Sequence, residues 1–173
     1  ELEHIAEFLI ANNYCIWSSG GTFKYLSSII NTGLLHKISD LTDFPEILGG
    51  RVKTLHPNIY GGLLADRENN NHISDLENNN LISFDLVIVN LYPFQETINI
   101  KHHTENDAIE NIDIGGVSLI RAGSKNYKYI SVLTNPEQYT DYITNYNNID
   151  IDYRKHLASQ AFNYIANYDM NIS

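Results

Sequence analysis

The sequence predicts an α/β fold: one doubly wound, mostly parallel sheet with helices on both faces. Three observations support this class. Segments with helical spacing alternate with short apolar runs typical of buried parallel strands. The length of 173 residues suits a single core of ordinary size. Hydrophobic residues make up 43% of the chain and charged residues 18%, which is the composition of a folded globular protein.

The first elements are a helix, a strand, a glycine turn and a second helix. Apolar residues at helical spacing predict a helix over residues 2–10. Residues 14–17 form a β-rich apolar run, which predicts a buried strand ending in the turn at residues 19–22. A second helical pattern then runs from Phe23 to Ile30 and stops near Gly33.

Two later apolar runs, residues 86–89 and 129–133, predict strands buried on both faces. The asparagine runs at 69–71 and 78–80 predict helix ends or solvated loops. From Tyr153 to about Asp169, apolar residues on one face predict a packing helix. We therefore expect no second folded domain within this length of chain.

Composition and charge favour some function classes over others. A net charge of −10 argues against broad nucleic-acid binding, and no apolar run approaches the roughly 20 residues of a membrane span. Cys15 is the only cysteine, so no internal disulfide is possible and a cytoplasmic location is expected. The seven histidines lack the H-E-x-x-H spacing of a zinc site, so no metal is expected.

Four segments carry polar residues suited to binding an anion or moving a proton. The first, Ser19 to Thr22, lies between a strand and a helix, where free backbone N–H groups favour phosphate. Glycine is equally expected there because a tight turn needs it. The second, residues 44–57, combines two glycines with Arg51 and Lys53 and is typical either of a loop beside an anionic ligand or of a solvated basic loop.

The third and fourth segments each follow or precede an apolar element. Asn90 and Tyr92 come directly after the strongest predicted strand, where ligands gather in open α/β sheets, although Tyr92 and its neighbours could instead pack on the sheet. Asp113 precedes a Gly-Gly pair and a helix that leads to Lys125. The two could form an acid–base pair, or Asp113 could cap a helix beginning near Val117.

Together these segments resemble the inosine monophosphate cyclohydrolase domain of the PurH family of bifunctional purine enzymes. The resemblance covers nearly the whole chain and rests most heavily on the uninterrupted run from Leu48 to Pro57. It also includes the segments at residues 19–22, 44–57, 90–94, 112–116, 121–126 and 161–169.

The resemblance implies a methylglyoxal-synthase-like fold and a cofactor-independent ring closure. The substrate would be 5-formamidoimidazole-4-carboxamide ribotide and the product inosine monophosphate, made by a homodimer. By resemblance, the catalytic residues are Lys53, Tyr92, Asp113 and Lys125, and the substrate-binding residues are Ser19, Gly20, Gly21, Thr22, Arg51, Thr54, Asn90 and Gly115. We assign proton handling to Asp113 with Lys53 or Tyr92, and stabilisation of the formyl oxygen to Lys125 and nearby backbone N–H groups.

The resemblance also has departures. The family normally begins one strand earlier, with a Ser-Val-Ser-Asp-Lys-like segment that contacts the phosphate, so we expect residues 1–150 to form a cyclohydrolase domain lacking that strand and to bind substrate weakly. Residues 151–173 would form a helix leading toward a transformylase domain. Two alternatives are methylglyoxal synthase and a noncatalytic nucleotide-binding module of the same fold.

Overall fold

The computed structural model describes residues 1–173 and confirms an α/β fold. Its strands are β1 (Ile16–Ser18), β2 (Leu35–Lys37), β3 (Leu86–Ile88) and β4 (Ser131–Leu133). Its helices are α1 (Leu2–Ala11), α2 (Gly20–Ile29), α3 (Ile38–Thr42), α4 (Pro57–Leu64), α5 (Asn70–Asn78), α6 (Phe94–Ile98), α7 (Glu105–Glu110), α8 (Gly115–Lys125), α9 (Glu137–Asn145) and α10 (Ile151–Ile172). Short 3₁₀ turns cover Leu48–Gly50 and Tyr146–Asn148.

The strands pair in parallel, as predicted, but they form two separate pairs rather than one continuous sheet. β1 pairs with β2, with Trp17 opposite His36, and β3 pairs with β4, with Val87 opposite Val132. One edge of β1 and one edge of β3 therefore have no strand partner. Both strands line the same cleft, because no strand of residues 1–173 lies between them.

The two asparagine runs lie at the two ends of helix α5, which agrees with the prediction. The Asn69 side chain accepts hydrogen bonds from the backbone N–H groups of Asn71 and His72 at the start of the helix. Asn79 follows the last helical residue, and its side chain donates to the carbonyl of Asp75. These side chains satisfy backbone groups that have no partner within the helix.

Two hydrophobic clusters hold the helices against the strand pairs. The larger cluster includes Val87, Ile120, Val132 and Ile165, and the smaller one surrounds Leu133. Helix α10 contributes to both, through Leu157 to the smaller cluster and through Ala161, Ile165 and Tyr168 to the larger. It is a packing helix of the same core, as predicted. No helix of the chain has the length and apolar character needed to cross a membrane.

Gly62 of α4 is needed for close packing of that helix. A Cβ atom at this position would lie 1.9 Å from the carbonyl oxygen of Ile82 and 2.9 Å from the Phe84 ring. We expect Gly62→Ala to lower the free energy of unfolding by about 1–3 kcal/mol, because overpacking outweighs the better helix propensity of alanine. Urea denaturation measures the change.

Gly33→Ala is the matched control, since a Cβ there meets nothing within 4 Å. It should change the free energy of unfolding by less than about 0.5 kcal/mol. Equal stability of the two variants would contradict the close approach of α4 to residue 82.

Candidate active site

A cleft of about 1450 Å³ opens between β1 and β3. It is larger than the roughly 300–1,000 Å³ of ordinary ligand pockets. Its walls come from four parts of the chain that are distant in sequence. The predicted site residues that line it are Ser19, Gly21, Thr22, Arg51, Lys53, Thr54, Asn90, Tyr92, Asp113 and Gly115. The fold thus brings most of the predicted site together.

The N-terminus of α2 is occupied by a carboxylate of the protein itself. The backbone N–H of Gly20 donates to Glu46 Oε1 at 3.0 Å, and Lys53 Nζ lies 3.9 Å from Glu46 Oε2. A helix N-terminus favours negative charge, so Glu46 sits where a ligand phosphate would be favoured. The sequence pattern did not predict this contact of Glu46, although the residue lies in segment 44–57, which was considered as a loop beside an anionic ligand.

The loop that carries Arg51 and Lys53 has three consecutive residues in the left-handed region. The φ angles are 55° at Leu48, 65° at Gly49 and 91° at Gly50. A Cβ at Gly50 would lie 2.7 Å from Lys53 Cε, so glycine here both permits the backbone and leaves room for the lysine. Leu48 is 69% exposed and gains little from burial in return for its strained conformation.

Arg51 is anchored across the cleft by an ion pair with Glu110, the last residue of α7. The hydrogen bond and charge of that carboxylate raise the pKa of Arg51. Both side chains are largely exposed, so the pair contributes little to stability and an incoming anion can compete for the guanidinium.

Asn90 and Tyr92 follow β3 at its carboxyl end, as the sequence predicted. The Asn90 amide donates from Nδ2 to the hydroxyl of Tyr139 at 3.1 Å. Tyr92 is 47% exposed on the cleft wall, and its hydroxyl has no protein partner. Tyr92 is therefore not a residue that packs on the sheet, whereas the next aromatic residue, Phe94, is 7% exposed in the core.

Asp113 caps the N-terminus of α8 and also lies in the cleft. Its Oδ1 accepts from the backbone N–H of Gly116 at 2.6 Å, at the start of α8, which begins at Gly115 rather than near Val117. A Cβ at Gly116 would lie 2.7 Å from Asp113 Oδ2. Glycine at this position therefore allows the carboxylate to fold back over the helix end while still facing the cleft.

Thr54 brings the loop of Arg51 and Lys53 into contact with the N-terminus of α8. Its Oγ1 would lie 3.0 Å from a Cβ built on Gly115, so the hydroxyl lies against the first turn of α8. Glycine at 115 makes this close approach possible. The contact places the loop of Lys53 beside the helix end that holds Asp113.

Lys125 does not line the cleft, and of the two interpretations of Asp113 the structure shows the helix cap and not the pair with Lys125. It is exposed in the last turn of α8. Ten residue steps separate it from Gly115, or about 15 Å along an unbroken helix. Its backbone therefore lies at the end of α8 opposite Asp113, and the oxygen-stabilising role of Lys125 stays a prediction.

The cleft has no group of three histidine, cysteine, aspartate or glutamate side chains that could hold a metal ion, nor does the rest of the chain. Its two cations each contact a carboxylate, Lys53 with Glu46 and Arg51 with Glu110. Such a site can bind an anion by exchange of partners and can move a proton through Asp113.

Two family models match different parts of the chain. The MGS-like domain matches residues 1–118, and the AICARFT/IMPCHase bienzyme family matches residues 123–173. The first match takes in the segments of the cleft described above. The second takes in β4, α9 and α10.

Several curated relatives are similar over nearly the whole chain. The bifunctional purine biosynthesis protein PurH of Thermoanaerobacter sp. (strain X514) is 48% identical, covering 96% of this chain and 34% of the relative. The protein of the same name from Prochlorococcus marinus (strain MIT 9301) is 50% identical, covering 93% and 31%. The chain thus spans about a third of the length of these relatives.

The fold is also similar to the crystal structure of ForH. The TM-score is 0.81 with 27% sequence identity, and the alignment covers 99% of this chain and 90% of that chain. The likeness includes both the part matched by the MGS-like model and the helices that follow it.

We expect the negative charge of Glu46 to weaken anion binding at the N-terminus of α2. Glu46→Gln should strengthen binding of inorganic phosphate at least about threefold, because the neutral amide leaves Lys53 unpaired and no longer repels an anion at Gly20. The backbone amide signal of Gly20, followed by NMR during a phosphate titration, reports the affinity.

Glu68→Gln is the control, since Glu68 pairs with Lys128 outside the cleft. It should leave phosphate affinity at the wild-type value. Weaker phosphate binding in Glu46→Gln would show that Glu46 supports the anion site rather than occupying it.

Proposed function

The chain belongs to the MGS-like domain family, and we propose that within this family it is an inosine monophosphate cyclohydrolase. The observation that carries the proposal is the convergence of Arg51, Lys53, Asn90 and Asp113 on one cleft from three separate segments. The similarity to PurH proteins supports the same reaction. The substrate is then 5-formamidoimidazole-4-carboxamide ribotide, which closes to inosine monophosphate and water without a cofactor.

The proposed step is an intramolecular attack. The carboxamide nitrogen of the substrate forms a bond to the formyl carbon and loses a proton to the Asp113 carboxylate. The formyl oxygen takes up one proton as the new C–N bond forms and a second as its C–O bond breaks, while the formamide nitrogen loses its proton, so water leaves and the new six-membered ring gains a C=N double bond. Removal of the amide proton and stabilisation of the developing oxyanion are the tasks left to the protein.

Lys53 is the cation in the cleft best placed to serve the oxygen. Its side chain is 25% exposed, and its ammonium makes only a weak 3.9 Å contact with Glu46. The hydroxyl of Tyr92 is unpartnered and is a second proton donor on the same wall. With Lys125 outside the cleft, we assign the oxygen-stabilising role to Lys53, supported by Tyr92 and the N–H groups at the start of α8.

The ribotide phosphate is assigned to the N-terminus of α2, from Ser19 to Thr22. Free N–H groups and the Thr22 hydroxyl can receive it once Glu46 is displaced. Arg51 can exchange Glu110 for a substrate oxygen. Thr54, Asn90 and Gly115 then shape the remaining wall, and holding both substituents at reacting distance supplies much of the acceleration.

We also propose one additional strand for the cleft between β1 and β3. Both strands have an unpaired edge there, and the walls above and below are apolar, with Ile5 and Leu9 on one side and Ile59 and Leu63 on the other. An extended segment in this place would join the two pairs into one sheet and complete residues 1–150 as a cyclohydrolase domain, with residues 151–173 leading onward to a transformylase domain. A homodimer in the cytoplasm is part of the same proposal.

A noncatalytic nucleotide-binding module is the second candidate. The position of Lys125 outside the cleft favours this candidate, because nucleotide binding without turnover needs only the phosphate site and the cleft walls. Under this alternative the chain binds inosine monophosphate but does not form it.

Turnover distinguishes the two candidates. Ultraviolet absorbance should show conversion of the formamido ribotide to inosine monophosphate, with Lys53→Ala slowing it by about 10²–10³-fold and Asp113→Asn by about 10²–10⁴-fold. Lys155→Ala, which removes an exposed cation of α10 outside the cleft, should keep full activity. Wild-type turnover in Asp113→Asn would exclude the proton role, and loss of turnover in Lys125→Ala would exclude a site built from one chain's cleft alone.

The strand proposal has a separate test. The 173-residue chain should bind inosine monophosphate more weakly than micromolar, and an N-terminal extension with a Ser-Val-Ser-Asp-Lys segment should raise the affinity at least about tenfold, or 1.4 kcal/mol. Isothermal titration calorimetry measures both. A glycine-serine extension of equal length is the control, and micromolar affinity without any extension would overturn the proposal.

A further inference from the structure

Three tyrosine hydroxyls reach two of the chain segments that carry polar groups of the cleft, residues 90–92 and 111–113. The Tyr139 hydroxyl accepts from Asn90 Nδ2 at 3.1 Å. The Tyr164 hydroxyl accepts from the backbone N–H of Leu91 at 3.3 Å. Residues 90–92 are therefore held from behind by α9 and α10.

Tyr168 makes the strongest of these connections. Its hydroxyl accepts from the backbone N–H of Asp113 at 2.9 Å and donates to the carbonyl of Asn111 at 2.8 Å. One phenolic oxygen thus uses its donor and one acceptor to bridge the turn that presents Asp113. The carboxylate of the same residue is fixed by Gly116, so both its backbone and its side chain are held.

The tyrosine rings are anchored in the core. Tyr139 is 2% exposed and Tyr168 is 9% exposed, and they belong to the smaller and the larger hydrophobic cluster respectively. Burial raises the pKa of both phenols, so they remain protonated at neutral pH. A packed ring with two side-chain torsions places its hydroxyl with little freedom.

All three tyrosines lie in the part of the chain that matches the bienzyme family, whereas the groups they hold lie in the part that matches the MGS-like domain. Nothing in the hydrogen-bonding pattern of Asn90, Leu91 or Asp113 within residues 1–118 replaces these contacts. Helices α9 and α10 therefore supply the hydrogen bonds that hold residues 90–91 and the backbone of Asp113 in place.

We propose that Tyr139, Tyr164 and Tyr168 are positioning residues, which fix residues 90–92 and 111–113 in the geometry that ring closure requires. The inference rests on the proposed cyclohydrolase function for its kinetic part. Tyr168 acts through Asp113 and does not line the cleft. Loss of its hydroxyl should therefore slow the chemical step and leave substrate binding at the α2 N-terminus almost unchanged.

The test compares Tyr168→Phe with wild type in the full chain. The variant keeps the ring in the core and removes one oxygen. We expect kcat to fall about 10- to 100-fold with KM changed less than twofold, since small misplacement of a reacting group has costs of this order. Amide hydrogen exchange at Asp113, followed by NMR, should become at least about tenfold faster because its N–H loses its partner.

Tyr142→Phe is the matched control. Tyr142 is 3% exposed on α9, and its hydroxyl bonds to neither segment of the cleft. It should leave kcat and the exchange of Asp113 at wild-type values. An unchanged exchange rate in Tyr168→Phe would overturn the positioning role, and so would equal losses in the two variants. The exchange measurement stands even if wild type has no turnover, so failure of the proposed function is distinguishable from failure of this inference.

Discussion

The parallel pairing of β3 with β4 is the constraint on which the rest of the site depends. Val132 and Leu133 of β4 are completely buried, and each lies in a different hydrophobic cluster. Helix α8 packs through Gly123 directly on Val87 and Val132, where a Cβ would come within 2.9 Å of the valine of β4. This contact fixes the direction of α8, and hence the place of its first turn beside Asp113 and Thr54.

Local patterns in the sequence were sufficient to predict β1, β3 and β4 and most of the segments that line the cleft, but they did not predict β2. The run from Leu86 to Val89 is apolar and β-branched, so it predicts both a buried strand and a binding position after it. The Gly-Gly pairs marked places where backbone or side chains approach closely. What the sequence could not supply was long-range geometry: the hydroxyl of Tyr168 meets Asp113 across 55 positions of sequence, and no periodicity records that contact.

Lys125 illustrates a different limit. The family resemblance implies a catalytic role for Lys125 in the same site as Asp113. The 11-residue helix α8, however, places Lys125 at the end opposite Asp113. The separation of the four strands into two pairs could not be predicted from the sequence either, because strand order is set by tertiary packing and each apolar run alone fits an edge or a central strand. The role of Glu46 was missed for a related reason, since no local pattern marks a carboxylate that contacts a helix N-terminus 26 residues earlier in the sequence.

The unpaired edges of β1 and β3 also bear on how the chain behaves at high concentration. Exposed strand edges act as templates for pairing between molecules and promote aggregation. Here both edges are recessed between helices, with Ile5 and Leu9 of α1 on one wall and Ile59 and Leu63 of α4 on the other. Three-residue strands give pairing between the sheets of two molecules little length. Only a single extended segment, such as the strand proposed above, fits between the helices and reaches both edges.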